Sequence, residues 1–358
     1  MKYSYNDLIL FAKKYEIPIE DILLIYLNRC GLKMENTIEK RIRFRLKLNS
    51  YNEVFYMAVC VNTYDSPFEL KNNIILFNGK KVADVINIEK DTCDTTYFRR
   101  NKTELTLNSN ARSQCRGCKF CGTYKQEPDD IYQLDTVEKL SNYTEILLKE
   151  NNMRDLSDIV RVTVCTGCFP EEEKLVEHLK MIRNTLKRYN FNKKIRYIGS
   201  QIRSKETLEK IQNEVAPFSL SLTTECFSNR QKLMRNEKAS LDIKTSIELL
   251  DRAKQLGFAA NCLYILGLDE LNVFEENMRK LAPHFNRFPV VQIMQNYIAE
   301  HEKYRTSDAS NGIEYYLKAR KILENIFKEY EYKPRCWENY RGLFYTKYNG
   351  IKNDTIKI

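Results

Sequence analysis

Three closely spaced cysteines are the residues of this chain with the clearest chemical potential. Cys115, Cys118 and Cys121 lie within the stretch RSQCRGCKFCGTY, with two residues between neighbours. Three sulfurs this close together are poorly placed for disulfides, but they are well placed to surround one metal centre. The C-x2-C-x2-C run also opens the sequence C-x2-C-x2-C-x3-C-P with which bacterial ferredoxins hold a [4Fe–4S] cluster, so three cysteines at this spacing are able to hold three irons of one cluster.

The fourth ligand of this site is left open by the sequence. Lys125 and Gln126 stand where the ferredoxin run has its fourth Cys and its Pro. Either a distant cysteine completes a four-thiolate zinc or electron-transfer site, or a fourth iron binds a ligand that is not protein. Zinc sites of four cysteines usually consist of two C-x2-C pairs. Cys165 and Cys168 form a second such pair, and they are also candidates for an auxiliary cluster with Cys226 or Cys336.

The overall cysteine usage favours a reducing compartment. The chain has 358 residues and eleven cysteines, whereas a secreted disulfide scaffold is usually short and has paired cysteines. Most of the scattered cysteines are interpreted as small buried hydrophobic residues. We therefore expect a cytoplasmic protein.

Composition excludes several other classes. The chain carries 58 Lys and Arg against 48 Asp and Glu, a net charge of +10, without a long single-sign block. Dispersed charge is weak evidence for a nucleic-acid partner. No apolar run reaches the length of a membrane span, and the N-terminal stretch lacks the apolar core of a signal peptide.

Residues 1–95 are expected to form an N-terminal α+β appendage, a helical pair followed by a small antiparallel sheet. Asn6 can cap the first helix, and a second helix is expected over 19–29. Asn78–Gly79 predicts a hairpin. RIRFRLKL (41–48) alternates basic and apolar residues, which is typical of a half-buried strand.

The basic face of that strand has two interpretations. It would display four cations, Arg41, Arg43, Arg45 and Lys47. They form either a solvated charged surface or a docking face for an acidic or nucleic-acid substrate.

From about residue 100 onward, short apolar runs alternate with amphipathic helices. Strands are predicted at 103–108, 158–164, 194–199, 218–223, 259–267 and 289–295. Helices are predicted near 135–151, 171–189, 204–213, 242–256, 272–282 and 312–330. Six β/α units in succession indicate a parallel sheet covered by helices, which fits a partial (β/α)6 TIM-like barrel over 96–305.

The unusual residue combinations all follow predicted strands. The cysteine loop follows the first strand, TGCFP the second, GSQ the third, TECF the fourth and GLDE the fifth. In α/β barrels, chemistry takes place at the carboxyl ends of the strands. These segments are therefore expected to meet at one face.

With this arrangement the sequence resembles the radical S-adenosylmethionine (radical SAM) enzymes over roughly residues 100–300. That family has a (β/α)6 partial barrel, a three-cysteine loop after its first strand and an aromatic residue just before the third cysteine. Phe120 matches the aromatic residue, which lies against the adenine of SAM. The family usually has three residues between its first two cysteines, whereas only two separate Cys115 from Cys118.

The resemblance also implies contacts to SAM. Gly167–Cys168–Phe169–Pro170 corresponds to the family's Gly-Gly-Glu-Pro-like segment, without its Glu. Glu225 stands where polar contacts to the ribose or methionine are found, and Arg230 and Lys238 could balance the SAM carboxylate. Ile265, Gly267 and Glu270 match the family's adenine-binding pattern, in which Leu263 replaces the first Gly.

The chemistry implied by the resemblance is reductive cleavage of SAM. Cys115, Cys118 and Cys121 would hold an oxygen-sensitive [4Fe–4S] cluster, and the 5′-deoxyadenosyl radical would abstract a hydrogen atom from a substrate. An external one-electron reductant such as flavodoxin or ferredoxin is implied. The substrate is expected to be a small molecule of specialised metabolism. Peptide or tRNA modification, transfer of a 3-amino-3-carboxypropyl group, a ferredoxin-like electron carrier and a zinc-stapled RNA-binding protein are the alternatives.

The last part of the chain, 306–358, is expected to contain a helix and an aromatic-rich cover. Its segment CWENYRGLFY (336–345) carries the only Trp. This segment either covers the barrel mouth or packs against the outside or base of the barrel. Further candidates for the mouth follow strand ends and are Tyr124, Gln201, Gln292, Asn296 and His301.

Overall fold

A computed structural model gives the conformation of most of the chain. The residues it describes are 3–35, 37–62, 65–90, 97–100, 102–109, 117–122, 124, 133–169, 171–335, 338 and 340–353. Cys115, Pro170, Cys336 and Trp337 therefore lie outside the described residues. In the part described, no helix combines the length and the apolar character that a membrane crossing requires.

Two helices open the chain. Helix α1 covers Tyr5–Tyr15 and helix α2 covers Ile19–Cys30. The residue that caps α1 is Ser4 and not Asn6. The Ser4 hydroxyl accepts a hydrogen bond from the Asp7 N–H, and the Asp7 carboxylate accepts one from the Ser4 N–H at 2.7 Å. This reciprocal pair satisfies two backbone donors at once, which a cap at Asn6 would not do.

An antiparallel sheet follows, with the strand order β2-β1-β5-β4-β3. Its strands are β1 (Arg41–Leu48), β2 (Val54–Cys60), β3 (Phe68–Lys71), β4 (Ile74–Phe77) and β5 (Lys80–Lys90). Asn78 and Gly79 have φ angles of 48° and 80° and join β4 to β5. Positive φ at both central residues is the geometry of a two-residue hairpin. The predicted helical pair and antiparallel sheet are both present.

The second sheet has seven strands in chain order. They are β6 (Tyr97–Arg99), β7 (Glu104–Leu107), β8 (Arg161–Cys165), β9 (Lys194–Gly199), β10 (Phe218–Glu225), β11 (Ala259–Leu266) and β12 (Val290–Ile293). Strands β7 to β12 pair in parallel, and β6 adds an antiparallel edge strand. The six predicted strands are confirmed, and β6 is an addition that the sequence did not predict.

Helices lie between these strands from β7 onward, and two more follow β12. They are α3 (Val137–Glu150), α4 (Glu172–Lys187), α5 (Lys205–Glu214), α6 (Arg230–Leu233), α7 (Asn236–Ala239), α8 (Ile243–Gln255), α9 (Leu271–Leu281), α10 (Ser307–Asn311) and α11 (Glu314–Ile326). The longer ones bury a Leu-rich stripe. Thr136, Ser204 and Asp242 cap α3, α5 and α8 through side-chain oxygens. A two-stranded hairpin, β13 (Lys347–Tyr348) and β14 (Ile351–Lys352), follows α11.

The parallel sheet is curved into a partial barrel. Thr106 of β7, Thr163 of β8, Thr223 of β10 and Gln292 of β12 all line the same cavity. Because residues of the first and last parallel strands meet at one cavity, the sheet must curl around it. The partial (β/α)6 barrel with an N-terminal α+β appendage is thus confirmed.

The C-terminal segment ties the two sheets together. The Asp21 carboxylate of α2 forms an ion pair with Arg320 of α11 and accepts a hydrogen bond from the Thr346 N–H at 2.7 Å. Farther back in the segment, the carbonyl of Arg341 accepts from the Ile293 N–H at 2.8 Å. The segment therefore runs along the free edge of β12, where the partial barrel would otherwise be open.

Candidate functional site

A cavity of about 300 Å³ lies at the carboxyl ends of the parallel strands. This volume is at the lower end of the range typical of small-molecule sites. The loops after β7, β8, β9 and β10 contribute to its lining. So do β1 of the N-terminal sheet and the segment that contains Tyr340 and Arg341.

Two of the three clustered cysteines, Cys118 and Cys121, lie on the cavity wall between β7 and α3 in the chain. A tight turn brings them together, because the Cys121 N–H donates to the Cys118 carbonyl at 2.8 Å. The Lys119 N–H donates to the carbonyl of Leu233 at 2.9 Å, which attaches this turn to α6. Both cysteines line the cavity. Cys115, the first predicted ligand, lies outside the described residues.

An apolar cluster surrounds the cysteine turn. Phe120 is 6% exposed and lines the cavity beside the two cysteines. The buried residues packed with it are Cys118, Cys226, Leu233, Met234, Ala239, Leu268 and Met294. An apolar shell that limits solvent access is one of the means by which a protein tunes an iron–sulfur centre.

Cys118 and Cys121, the two described cysteines of the turn, are suitable ligands for a metal centre held by thiolates. Burial raises the pKa of the Cys118 thiol to about 12, and the positive charge of Lys238 opposes this rise. A bound metal cation deprotonates a coordinating thiol outright, so the burial does not conflict with ligation. Among the described residues, no three His, Cys, Asp or Glu side chains are grouped to hold a metal ion, and the three-cysteine centre therefore depends on Cys115.

A buried ion pair lies near the cysteine turn. Lys238 of α7 donates to the carboxylate of Glu225 at the end of β10, and both side chains line the cavity. Burial alone would lower the pKa of Lys238, but the charge of Glu225 and the hydrogen bond to its carboxylate oppose burial, and the pKa is raised. The lysine is therefore a firmly charged cation at the cavity wall.

The backbone at Glu225 is unusual. Its φ is 64°, a left-handed conformation that residues other than glycine rarely adopt. A hydrogen bond of 2.8 Å from the Cys226 N–H to the Thr224 carbonyl closes a three-residue turn around it. Strained backbone of this kind is concentrated at functional sites.

Arg230 supports the site without lining the cavity. Its guanidinium donates to four backbone carbonyls, those of Thr224, Cys226, Lys238 and Ala239. This residue therefore joins the end of β10 to α7 and holds the backbone of Lys238 in place. These contacts are those of a positioning residue, and the role of Arg230 in balancing the SAM carboxylate stays a prediction.

Gly167 and Cys168 line the cavity after β8, as does Cys165 at the end of that strand. The loop is fixed from β9, because the Gln201 side-chain amide donates to the Phe169 carbonyl at 2.6 Å. The two C-x2-C pairs thus lie on one cavity. Cys226, one of the two alternative partners suggested for Cys165 and Cys168, is buried in the apolar cluster, where its thiol donates to the Ser228 carbonyl.

Of the three residues predicted at strand β11 and just after it, one lines the cavity. Ile265 lines the cavity, but Gly267 does not appear in its wall. Gly267 has a φ of 111°, and a Cβ atom there would lie 3.2 Å from the Tyr316 hydroxyl. Its role in the structure is that of a tight turn after β11. Glu270 is the exposed cap residue of α9.

Asp269 was missed by the sequence analysis. It is fully buried, and its carboxylate accepts hydrogen bonds from the Phe227 N–H, the Ser228 N–H and the Tyr264 hydroxyl at 2.6–2.8 Å. It therefore joins the loops that follow β10 and β11. The available signal was an acid two residues after Gly267, in the turn that follows β11.

The basic strand β1 faces the cavity. Arg41 and Arg43 line it, together with Arg99 of β6 and Arg341 of the C-terminal segment. We call these four residues the arginine wall. A fully solvated face is therefore wrong for Arg41 and Arg43. Lys47, farther along the same strand face, is exposed.

Of the remaining residues predicted at the barrel mouth, some line the cavity and others do not. Gln201 and Gln292 line the cavity, whereas Tyr124, Asn296 and His301 are not among the described residues that form its wall. The aromatic C-terminal segment contributes Tyr340 and Arg341 to the wall. Glu338 of the same segment pairs with Arg161, the first residue of β8, so the segment borders the cavity and also contacts the base of the barrel.

Comparisons with known proteins relate the chain to several solved structures. No family model matches it, and no curated protein is significantly similar. The chain is similar to SuiB of Streptococcus suis bound to S-adenosylmethionine, with 12% identity and a TM-score of 0.42 over 64% of this chain and 48% of that one. The chain is also similar to HydG, a maturase of the [FeFe]-hydrogenase, with 18% identity and a TM-score of 0.39 over 63% of this chain and 48% of that one.

A third similar structure is TsrM of Kitasatospora setae, a radical S-adenosylmethionine methyltransferase with cobalamin and a [4Fe–4S] cluster bound. It has 8% identity and a TM-score of 0.37, over 55% of this chain and 37% of that one. The matches span about half of the solved chains or less. The order and direction of the strands show the fold class of this chain, which is a partial (β/α)6 barrel.

Proposed function

We propose that the chain is a radical SAM enzyme. The observation that carries this proposal is the meeting of Cys118, Phe120 and Cys121 with the Lys238–Glu225 ion pair at one cavity. These residues come from separate loops at the carboxyl ends of parallel strands, where barrel enzymes place their chemistry. The cysteines are suitable ligands for an iron–sulfur cluster, and the lysine and glutamate are suitable partners for the charged amino-acid part of SAM.

Each group has an assigned role. Cys115, Cys118 and Cys121 hold the cluster, Phe120 borders the adenine, and Lys238 attracts the SAM carboxylate. When bound, the cluster and SAM together supply one-electron cleavage of a C–S bond and a 5′-deoxyadenosyl radical for C–H activation. Gly167 and Ile265 offer backbone and apolar surface at the same cavity.

The protein must also keep water and oxygen away from this chemistry. Strand β1, strand β6 and the C-terminal segment contribute to the cavity wall from outside the six β/α units. Their presence fits a small-molecule substrate enclosed within the protein. An external one-electron reductant such as flavodoxin or ferredoxin completes the proposed system.

The test uses the full chain reconstituted anaerobically with iron and sulfide. We expect about four irons per chain, a change of the electron paramagnetic resonance signal of the reduced protein on addition of SAM, and formation of 5′-deoxyadenosine. The variant Cys118→Ala should lose all three. The matched control is Cys262→Ala, because Cys262 is a fully buried thiol of β11 that does not line the cavity.

The outcomes separate the alternatives. Stoichiometric zinc with tight, salt-sensitive RNA binding would instead identify a zinc-stapled RNA-binding protein. A cluster that is lost on replacing a distant cysteine would identify an electron carrier. Intact iron-loaded protein that neither changes its signal with SAM nor cleaves it would overturn the proposal.

A further inference from the structure

Cys165 is a cavity thiol to which the proposed function gives no role. It is the last residue of β8, and its side chain lines the cavity. It forms no disulfide, and among the described residues no hydrogen bond involves its thiol. By contrast, Cys118 and Cys121 are assigned to the cluster, and Cys168 belongs to the segment expected to contact SAM. The chemistry of the Cys165 thiol therefore has to be explained separately.

The register of the sheet directs the Cys165 side chain into the barrel. Thr163, two residues earlier on β8, lines the cavity, and side chains two residues apart on a strand share a face. Cys165 is paired with Ile198 of β9, which also lines the cavity. The Cys165 side chain is exposed, so a molecule bound in the cavity can reach the thiol.

Cys165 lies near the groups assigned to the cluster and to SAM. Lys238, Cys121 and Glu225 are all close enough to act on its thiol electrostatically. Thr163 lies deeper in the barrel, two residues or about 7 Å farther from the carboxyl end of β8. The thiol is therefore located where a cofactor at the strand ends would meet a substrate deeper in the cavity.

Two buried threonines give independent evidence of a ligand in this deeper part. Thr106 of β7 and Thr223 of β10 line the cavity and are 4% and 5% exposed. Neither hydroxyl oxygen has a hydrogen-bond partner in the part of the chain that the structure describes. Burying a hydroxyl without a partner is unfavourable, and a polar molecule in the cavity would satisfy both groups. Thr106 is paired with Thr163, so this polar surface adjoins the face of β8 that carries Cys165.

The Cys165 thiol is a better source of hydrogen atoms than the aliphatic groups around it. Ile198, Leu263 and Ile265 line the same cavity, and their C–H bonds are stronger than an S–H bond. At neutral pH an ordinary cysteine keeps its hydrogen. Burial raises the pKa of Cys165 further, although the charge of Lys238 opposes this rise. A carbon radical in this cavity would therefore take hydrogen from Cys165 in preference to these aliphatic side chains.

We infer that Cys165 is a further catalytic residue of this cavity, which donates a hydrogen atom to the substrate radical. The inference rests on the radical SAM function proposed above. In this step the S–H bond of Cys165 breaks and a C–H bond of the substrate forms, which leaves a thiyl radical on Cys165. One electron from the external reductant and one proton from solvent then restore the thiol.

This step defines the class of the reaction. The substrate loses one hydrogen atom to the 5′-deoxyadenosyl radical and gains one from Cys165, so its oxidation state does not change. The product is therefore an isomer of the substrate, with an inverted carbon centre or rearranged bonds. The substrate is a polar small molecule whose hydrogen-bonding groups contact Thr106 and Thr223.

The experiment needs no substrate, because the 5′-deoxyadenosyl radical can itself take the hydrogen of a nearby thiol. The full chain is reconstituted anaerobically, exchanged into D2O without any small thiol, and given SAM with dithionite as the one-electron reductant. Thiol hydrogens exchange with solvent, whereas C–H hydrogens do not. We expect the 5′-deoxyadenosine to carry one deuterium, as measured by mass spectrometry.

Two variants separate hydrogen donation from a structural role. Cys165→Ala and Cys165→Ser should both still form 5′-deoxyadenosine but lose most of its deuterium. Serine keeps the size and polarity of the side chain, whereas its O–H bond is too strong for a carbon radical to break. The matched control is Cys262→Ala, at a fully buried thiol that does not line the cavity, and it should be labelled like the wild type. Circular dichroism and iron content establish that each variant is folded and loaded, and Cys165→Ser provides the test if Cys165→Ala does not fold.

A second readout does not depend on the cluster. In the folded, iron-free chain, iodoacetamide at alkaline pH should modify Cys165, because this side chain is exposed to the cavity. Cys262 should stay unmodified in the same sample, as measured by peptide mass mapping. Equal protection of the two cysteines would overturn the inference, since a radical in the cavity could not reach a thiol that is closed off.

The isotope experiment has further outcomes that would overturn the inference. They are unlabelled 5′-deoxyadenosine from the wild type, full labelling in Cys165→Ser, or loss of the label in Cys168→Ala but not in Cys165→Ala. A wild type with about eight irons, against about four in Cys165→Ala, would instead make Cys165 a ligand of an auxiliary cluster. If no 5′-deoxyadenosine forms, the radical SAM proposal fails together with this inference, whereas unlabelled 5′-deoxyadenosine refutes this inference alone.

Discussion

Glu338 forms an ion pair with Arg161 at the base of the barrel, with 2.7 Å between a carboxylate oxygen and a guanidinium nitrogen. The Glu338 side chain is 3% exposed, and the same carboxylate also faces Arg196 and Arg287. Three buried cations therefore surround one buried acid of the C-terminal segment, and the half-exposed Arg335 lies 3.7 Å from the same carboxylate. Burial alone would raise the pKa of Glu338, but these arginines lower it well below its ordinary value.

Replacement of Glu338 should destabilise the whole protein. Glu338→Gln leaves three buried guanidinium groups without their shared anion, and breaking a buried ion pair costs about 3–5 kcal/mol. The measurement is urea-induced unfolding followed by circular dichroism. The control is Glu276→Gln, which breaks an exposed pair with Lys280 on α9 and should change the free energy of unfolding by less than about 1 kcal/mol. Equal effects of the two variants would contradict this account of the base.

Lys238 should determine the affinity for SAM. Lys238→Met removes the cation assigned to the SAM carboxylate and leaves Glu225 buried without its partner, so we expect affinity to fall about tenfold or more. Equilibrium dialysis of the reconstituted protein measures this change.

Lys232→Met is the control for the lysine prediction, because Lys232 is an exposed residue of α6, six positions from Lys238. Its affinity should equal that of the wild type. If Lys238→Met binds SAM as tightly as the wild type, Lys238 does not bind the SAM carboxylate. Glu225→Gln tests the pair from the other side and should also weaken binding, because it removes the acid that holds Lys238 in place.

The elements of the barrel could be predicted because their signals are local. β-Branched runs such as RVTV and amphipathic stretches such as EEKLVEHLKMI carry the periodicity of a strand and of a helix. The turn at Asn78–Gly79 likewise has its own residue signature. The positions of Cys118 and Cys121 at the cavity followed from the strand order, since the carboxyl ends of parallel strands meet at one edge.

The arginine wall and the role of Arg230 could not be predicted in this way. The face of β1 that carries Arg43 has the same sequence pattern whether it faces solvent or a cavity, and only the packing of the first sheet on the second decides between them. Similarly, nothing in the neighbourhood of Arg230 reveals that its guanidinium binds four carbonyls. Such contacts arise from tertiary structure, which periodicity does not report.

Asp269 should control the order of the segment 227–240, which follows β10 and includes Lys238 of α7. Asp269→Asn removes the charge that accepts hydrogen bonds from the Phe227 and Ser228 N–H groups, and loss of buried charged hydrogen bonds costs about 1.5–3 kcal/mol each. We expect faster amide hydrogen exchange over residues 227–240. Asp251→Asn is the control, since Asp251 is a half-exposed residue of α8 that contacts His284. If amide exchange over residues 227–240 is unchanged in Asp269→Asn, contacts other than those of Asp269 keep this segment ordered.

His178 should make the stability of the chain dependent on pH. Burial lowers its pKa to about 4, and its Nε2 lies 2.7 Å from the hydroxyl of Ser109, which follows β7. An unfolded histidine titrates near pH 6.5, so between about pH 6.5 and 4 the unfolded chain binds a proton that the native chain does not. The free energy of unfolding must therefore fall as the pH is lowered through this window, by about 3 kcal/mol for this residue.

The prediction for His178 is tested by comparing how much stability the wild type and His178→Gln each lose on acidification. The comparison is needed because carboxylates contribute to acid unfolding in both proteins. Urea unfolding at pH 7 and pH 4.5 should show a larger loss of stability in the wild type than in His178→Gln, which has no proton to bind in this range. His284→Gln, at a partly exposed histidine, should behave like the wild type. Since the His178 ring also packs against Phe169, with 5.0 Å between ring centroids, low pH should loosen the loop after β8 first. A His178 ring that titrates near pH 6.5 in the native protein, observed by nuclear magnetic resonance, would refute the prediction.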